Sequence, residues 1–410
     1  MSKKPDKQLI VGLDIGTSKV VVVIGYVTPE GTLEIIGVGS HVSRGLKKGV
    51  VVNIESTVQS IQQAVEEAEA MSGCRIHSVY TGIAGSHIRS FNSHGIVAIR
   101  EQEVTHDDID RVMDAAKAVA IPADQKILHV LAQEFMIDDQ EGIREPVGMS
   151  GVRLEARVHM VTGAVSAAQN IVKCVRRCGL EVDDIILEQL ASSYAVLTED
   201  EKQLGVCLID IGGGTTDIAV FTDGSIKHTS VIPVAGDQVT NDIAVALRTS
   251  SQNAENIKIQ HACASVELTN KDAMIEITSG DRVLKPLSKR ALAEVVEPRF
   301  EELFALVQAD LQQSGYEDLL GSGIVITGGS AQMEGLIELA EEIFHMPVRL
   351  GVPRNIEGLV DVVRNPIYST GVGLLQYGYH SREQRRAELV STQSFKRYFS
   401  RVKNWLYGNF

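Results

Sequence analysis

Ile10-Val11-Gly12-Leu13-Asp14-Ile15-Gly16, near the start of the chain, is answered at its middle by Gly205-Val206-Cys207-Leu208-Ile209-Asp210-Ile211-Gly212. Both are apolar runs that end in an acid, then glycine, then hydroxyls. Thr17-Ser18-Lys19 follows the first, and Gly213-Gly214-Thr215-Thr216-Asp217 the second. Runs rich in Val and Ile and bounded by glycine turns read as strands. Each acid therefore ends a strand, and each glycine stretch forms a hairpin tip. Two matched copies in one chain read as a duplicated domain. A third strand-to-glycine turn, Gly323-Ile324-Val325-Ile326-Thr327-Gly328-Gly329-Ser330, comes later, with a helical pattern after it.

Glycines at the two tips let backbone approach a ligand closely, and successive N–H groups can share a concavity that suits phosphate. The Thr and Ser hydroxyls add hydrogen bonds, and Lys19 adds a point charge. Asp14 and Asp210 project toward the same space, which makes it too acidic for bare phosphate. A hydrated Mg²⁺ resolves that conflict, because magnesium binds few carboxylates and keeps waters. One Asp-x-Gly is ordinarily a turn and nothing more. Two matched copies followed by a third glycine turn carry the reading.

Working outward, Leu9 to Ile15, Val20 to Tyr26 and Leu33 to Ser40 form a strand meander. Ile54 to Met71 follows as a helix with Val58, Ile61, Val65 and Ala68 on its apolar face, closed by Gly73. Residues 86–163 change texture, as an inserted α+β module. Thr105-His106-Asp107-Asp108 has capping-box spacing and starts a helix that ends before Pro122, flanked by strands over Ile127 to Ile137 and Val152 to Val161. Ser166 to Cys178 reads as a helix and Val182 to Leu187 as a strand. Helical patterns return at Asp237 to Leu247 and Ser288 to Leu311. Ser381 to Ser394 reads as polar linker.

With 410 residues, the chain is long enough for two or more packed subdomains. No apolar run reaches the roughly 18–20 residues that a spanning helix needs. The charged N-terminus lacks a secretion signal's apolar stretch, so the chain is expected inside the cell. Five scattered cysteines without CxxC spacing read as reduced packing thiols. A net charge of −14 disfavours nucleic acid as a partner.

These residues resemble the actin, sugar-kinase and heat-shock ATPase superfamily. The three glycine turns match its phosphate 1, phosphate 2 and adenosine motifs. Leu187-Glu188-Gln189-Leu190-Ala191-Ser192-Ser193 and Pro366-Ile367-Tyr368-Ser369-Thr370-Gly371-Val372-Gly373-Leu374-Leu375 look like its two connecting motifs, although Gln189 stands where many members have proline. Within the superfamily the chain is most similar to the FtsA family of bacterial cell division. Ile36-Gly37-Val38-Gly39 to Gly49-Val50-Val51, Gly205 to Thr215, Ser330 to Leu336 and the tail carry that likeness.

The resemblance implies an α/β, actin-like fold: two RNase H-like halves around a nucleotide cleft, with an inserted α+β subdomain (1C-like) and a C-terminal amphipathic helix. The first half is expected over 1–85 and 164–190, the insert over 86–163, and the second half over 191–235 and 312–380. Subdomain 2B is expected over 236–311, a linker over 381–394 and the helix over 395–410. By resemblance, Asp14, Glu188 and Asp210 serve Mg²⁺ and an attacking water, with the metal reached by Asp14 and Asp210 through water. Gly16, Thr17, Ser18, Lys19, Gly212, Gly213, Gly214, Thr215 and Thr216 hold ATP phosphates. Gly328 and Gly329 hold adenosine, and Gly236 is a further contact. Asp217 is either a second acid at the terminal phosphate or the residue that holds its hairpin. Hydrolysis in such proteins is slow at most, with nucleotide acting as an assembly switch.

The family's partners would be the FtsZ C-terminal peptide on 236–311, with Arg299 as a contact, other division proteins on the 1C-like module, and further copies in filaments. The expected place is the cytoplasmic face of the bacterial inner membrane at the division site. A small-molecule kinase of the sugar-kinase type shares the fold, but it has no use for the tail. A chaperone ATPase would need a peptide-binding domain after the second connecting motif.

The tail is read from its own residues. At about 100° per residue, Phe395, Tyr398, Phe399, Val402, Leu406 and Phe410 share one side of a helix, with Trp405 at the edge. Lys396, Arg397, Arg401 and Lys403 take the flanks and far side. Aromatic residues opposite basic ones describe an interfacial helix on anionic lipid.

Overall fold

Val20, Val21, Val22, Val23 and Ile24 are all fully buried. A strand covered on both faces reads as a continuous apolar run rather than an alternation, and Lys19–Val27 is such a strand. The computed structural model describes residues 9–270, 273–275, 278–279, 282–283 and 286–383. Linker residues 384–394 and the tail residues Phe395, Lys396, Arg397, Tyr398, Phe399, Arg401, Val402, Lys403, Trp405, Leu406 and Phe410 lie outside them.

The duplication seen in sequence is a duplication of topology. In the first half, Leu9–Ile15, Lys19–Val27 and Leu33–Val42 form an antiparallel meander, and Ser78–Ile83 and then Glu181–Leu187 add in parallel beside Leu9–Ile15. In the second, Val206–Ile211, Thr216–Thr222 and Ser225–Ile232 repeat the meander. Ile324–Thr327 and Val348–Leu350 add in parallel on the matching side. Asp14 and Asp210 thus occupy equivalent strand ends.

The helix Ile54–Ser72 is capped by Asn53, whose Oδ1 accepts from Ser56 N–H, and closed by Gly73 in a left-handed conformation. It packs flat on the meander because Gly39 offers no side chain: a Cβ there would stand 2.0 Å from the Ala64 carbonyl. In the insert, strands Arg89–Ala98, Arg153–Ala164, Gln125–Ile137 and Gln140–Ile143 form one antiparallel sheet in that order. The helix His106–Lys117 covers it and carries the expected Thr105–Asp108 capping box.

The insert also leans on the second half. Ser90 Oγ donates to Thr229 O at 2.7 Å, Gln133 Nε2 to Ile226 O at 2.9 Å, and Asn92 Nδ2 to Lys227 O at 3.3 Å. Side-chain donors therefore satisfy the open edge of Ser225–Ile232, an edge that would otherwise invite another strand.

Two expected boundaries change. Strand Glu357–Gly358 pairs with Leu33–Val42 in the first sheet, and Val363, Val372, Leu374 and Leu375 are buried in a core that residues of both halves share. Glu357 and Gly358, expected with the second half, thus join the first half's sheet. Residues 381–383, expected as linker, continue the helix that starts at 369. Arg382 anchors that helix: its guanidinium donates to Leu9 O at 2.7 Å and reaches Asp183 at 3.2 Å. In 236–311, helices Gly236–Leu247 and Lys289–Ser314 appear as expected, joined by an unforeseen one, Ser251–His261. Its pattern is weak because Ala254 and Ile257 are buried while Ile259 faces out.

Candidate functional site

The two glycine hairpins meet. A Cβ on Gly213 would stand 1.8 Å from Ser18 Oγ, and one on Gly214 would stand 2.6 Å from Thr17 Oγ1. Nothing larger than glycine fits between these tips. The second tip is closed by Gly212 N–H donating to Thr215 O at 3.0 Å. Its carbonyls are then held from outside. Gly212 O accepts from Gly236 N–H at 3.2 Å and from Ser330 Oγ at 2.9 Å, while Gly213 O accepts from Asp237 N–H at 2.7 Å. Gly236, at the start of its helix, and the turn Gly328-Gly329-Ser330 therefore converge on the same loop. Gly328 has φ +91°, and a Cβ there would stand 2.4 Å from Asp210 Oδ1. A Cβ on Gly329 would make only an ordinary contact, 3.8 Å from Ile367 Cγ1.

The acids gather beneath these tips. Burial pushes the Asp14 carboxyl up to about 7; the Lys19 ammonium opposes the rise and Asp210 adds to it. Burial takes Asp217 up to about 8, with repulsion from Asp210 adding to it. Glu188 is raised well above its ordinary value by burial, then by Asp14, Asp217 and Asp210. Its stem lies against Gly82, where a Cβ would stand 2.9 Å from Glu188 Cγ. Asp210 is also raised by burial, against two hydroxyl donors. Ser192 Oγ donates to Asp210 Oδ2 at 2.5 Å and Thr370 Oγ1 does so at 3.3 Å.

Those two hydroxyls come from the two connecting helices, Glu188–Val196 and 369–383. The helices cross where Gly373 meets Ala191, and a Cβ on Gly373 would stand 1.9 Å from Ala191 O. The carboxylate is thus fixed at the hinge between the halves.

Several polar atoms here have no partner. Lys19 Nζ, Asp217 Oδ1 and Gln189 Oε1 are buried without a hydrogen bond. Burial lowers the Lys19 ammonium to about 8, against Asp14 and Asp210, and it lies 5.4 Å from the Tyr368 ring centroid. Buried polar groups are nearly always satisfied, so each orphan marks a missing partner. Asp217 takes the second of the two roles left open by sequence, that of holding its hairpin. Its Oδ2 accepts from Thr215 Oγ1 at 2.9 Å and holds the hairpin, while its Oδ1 stays free. The oxygen donors suit a hard divalent cation. Among the described residues no three His, Cys, Asp or Glu side chains converge as a metal cage.

The sequence places Ser192 and Thr370 in the connecting motifs and Ser330 in the third glycine turn but gives none of them, nor Asp237, a site role, because only the folded chain shows their hydrogen bonds. Sequence reasoning also missed Lys258, whose Nζ donates to Gly236 O at 3.1 Å and pairs with Glu255 at 2.8 Å. Arg299 lies elsewhere and is committed internally: its guanidinium grips both Asp242 oxygens, at 2.6 and 3.1 Å, and contacts Glu302.

A family model described as cell division protein FtsA matches residues 207–373. The cell division protein FtsA of Pseudomonas aeruginosa is 66% identical over the full length of both chains. The chain belongs to the FtsA family of cell-division proteins. A second model, the SHS2 domain inserted in FtsA, matches residues 85–162. Beyond the FtsA family the likeness is one of fold. A chain of the PilM–PilN type IV pilus biogenesis complex superposes with a TM-score of 0.66 at 15% identity, covering 90% of this chain and 98% of that one. MreB5 of Spiroplasma citri bound to ADP gives 0.53 at 15% identity, covering 92% and 99%. The actin-like fold read from the glycine turns is therefore the fold observed. Among the described residues no helix is long and apolar enough to cross a membrane.

Proposed function

We propose that this FtsA-family chain binds ATP with Mg²⁺ between its halves, assembles on the inner face of the cytoplasmic membrane, and tethers the FtsZ ring there. The observation that carries the nucleotide part is the orphaned Lys19 ammonium, buried beside Asp14 and Asp210 where two glycine tips meet. Phosphate oxygens are the partner such a cation lacks.

Thr17, Ser18, Gly213 and Gly214 offer N–H and hydroxyl donors to the phosphates, while Gly236 and Gly328-Gly329 border the adenosine side. Mg²⁺, when bound, screens phosphate charge from the carboxylates. Asp14 and Asp210 would hold its waters, with the Ser192 and Thr370 hydroxyls fixing the Asp210 carboxyl in place. Glu188 and Asp217 orient a water. Burial raises both carboxyls above their ordinary range, Asp217 to about 8.

The tail supports the membrane part. Its four cations contribute about 1 kcal/mol each near anionic lipid, so one copy binds reversibly. A row of copies binds far more tightly through effective concentration. The membership in a cell-division family favours this reading over a sugar kinase. The FtsZ C-terminal peptide would dock on 236–311, where Arg299 presents whatever surface its pair with Asp242 leaves, and other division proteins on the insert.

Sedimentation with anionic liposomes, with and without ATP, tests the whole. Wild type is expected to pellet, more completely with ATP. Phe399→Glu and Trp405→Glu are expected to stay in solution while keeping ATP affinity. Equal pelleting by wild type and a chain truncated after Ser394 contradicts the anchor.

A further inference from the structure

A third loop reaches the two glycine tips. Strands Leu46–Lys47 and Val50–Val51 form a small hairpin whose turn is Lys48-Gly49. Gly49 N–H donates to Thr17 Oγ1 at 3.0 Å, and the Lys48 Cα lies 3.0 Å from where a Cβ on Gly214 would stand. The turn thus touches both tips at once.

The hairpin is held rigidly. Val52 and Asn53 N–H both donate to Gly45 O, at 2.8 and 3.0 Å, and Asn53 caps the helix Ile54–Ser72. Gly45 itself has no room for a side chain, since a Cβ would stand 2.4 Å from Asn53 O. On the far side Gly49 packs on Ala84 and Gly85.

Lys48 adopts a left-handed backbone, φ 50°, which a residue with a Cβ adopts at some strain. Its side chain is exposed, and no ion pair joins it to a described residue. Position along the second tip gives it meaning. Gly212 faces Ser330 and Gly236, Gly213 faces Ser18, and Gly214 faces Thr17 and Lys48. The tip therefore runs from the third glycine turn toward Lys48.

On the nucleotide reading above, on which this rests, Gly214 and Thr17 mark the far end of the phosphates. We infer that Lys48 is a counter-charge for the terminal phosphate of a nucleoside triphosphate, so that this hairpin distinguishes tri- from diphosphate. Its flexible four-carbon stem carries a compact ammonium that can follow that phosphate. Lys19, buried and deeper, serves either nucleotide.

Calorimetric titration of the full chain with Mg·ATP and with Mg·ADP tests this. Lys48→Gln and Lys48→Gly are expected to weaken ATP binding about tenfold or more, with ADP affinity held within about twofold. Lys47→Gln on the neighbouring exposed position leaves both unchanged. Lys48→Gly also relieves the left-handed backbone, so its Tm is expected to equal or exceed wild type, which separates charge from folding. Equal losses for ATP and ADP, or no loss for either, overturn the inference. A wild type that takes up neither nucleotide overturns the nucleotide reading itself.

Discussion

Gly213 faces Ser18 across the cleft so closely that a single added methyl would overlap the serine hydroxyl, at 1.8 Å. One residue comes from the first half and one from the second, so the approach of the two halves is recorded in this pair. Gly213→Ala must turn Ser18 away from Asp237, its partner at 3.4 Å, or part the tips. Overpacking of this kind costs about 1–2 kcal/mol, so nucleotide affinity is expected to fall about tenfold. Calorimetry checks it; an unchanged Kd would mean that the tips do not shape the site.

Asp210 is fixed by Ser192 and Thr370, and its proposed work is to hold magnesium waters. Asp210→Asn is expected to weaken Mg·ATP binding by about tenfold or more, because a charged contact is lost. In EDTA the same variant should bind ATP at least as well as wild type, since one repelling charge is gone. Equal losses with and without Mg²⁺ would point to a structural role for Asp210.

The buried acids set a pH dependence. Asp14 at about 7 and Asp217 at about 8 lie far above the ordinary 3.8 of an aspartate. Between those values the folded chain binds more protons than the unfolded chain, so stability falls as pH rises through about 4 to about 8. Asp217→Asn removes one such group. Its ligand-free Tm is expected to decline less steeply than wild type between about pH 5.5 and about pH 8. Parallel curves would show that Asp217 does not titrate there.

His159 produces the opposite trend at the seam between insert and second half. Its Nδ1 shares a hydrogen bond with Asn92 Oδ1 at 2.7 Å and its Nε2 one with Thr229 Oγ1 at 2.9 Å. Burial, then the nearby His228, holds the imidazole neutral down to about 3. The stability it contributes is present above about 6.5 and is lost as pH falls toward about 3. His159→Gln keeps hydrogen bonding but cannot titrate. Its Tm is expected to lie below wild type at about pH 7.5 and to approach it at about pH 5. A constant gap would place the acid sensitivity elsewhere.

Much of this molecule is legible in its sequence for a simple reason. Strands such as Val20–Ile24, buried on both faces, need unbroken apolar runs, and phosphate-type hairpins need glycine, so both leave marks that survive without structure. The duplication of Asp14 and Asp210 then supplies the topology. What the sequence hides is long-range hydroxyl chemistry. Ser192 and Thr370 lie in the connecting motifs, yet nothing in those motifs shows that two helices crossing at Gly373 bring both hydroxyls to one carboxylate. The pairing of Glu357–Gly358 with the first sheet is equally silent, because a two-residue strand has no pattern. Ser90, Asn92 and Gln133 likewise read as surface polar residues, and only the edge strand they serve explains them.

The central claim is that the orphaned Lys19 ammonium and the crowded carboxylates await a triphosphate with its metal. Calorimetric titration of the full-length chain with ATP in Mg²⁺ measures it most directly. The account predicts saturable one-to-one uptake that weakens about tenfold or more in Lys19→Met, which removes the buried cation. Absence of any heat of binding in the wild type, at concentrations that saturate a micromolar site, would contradict it.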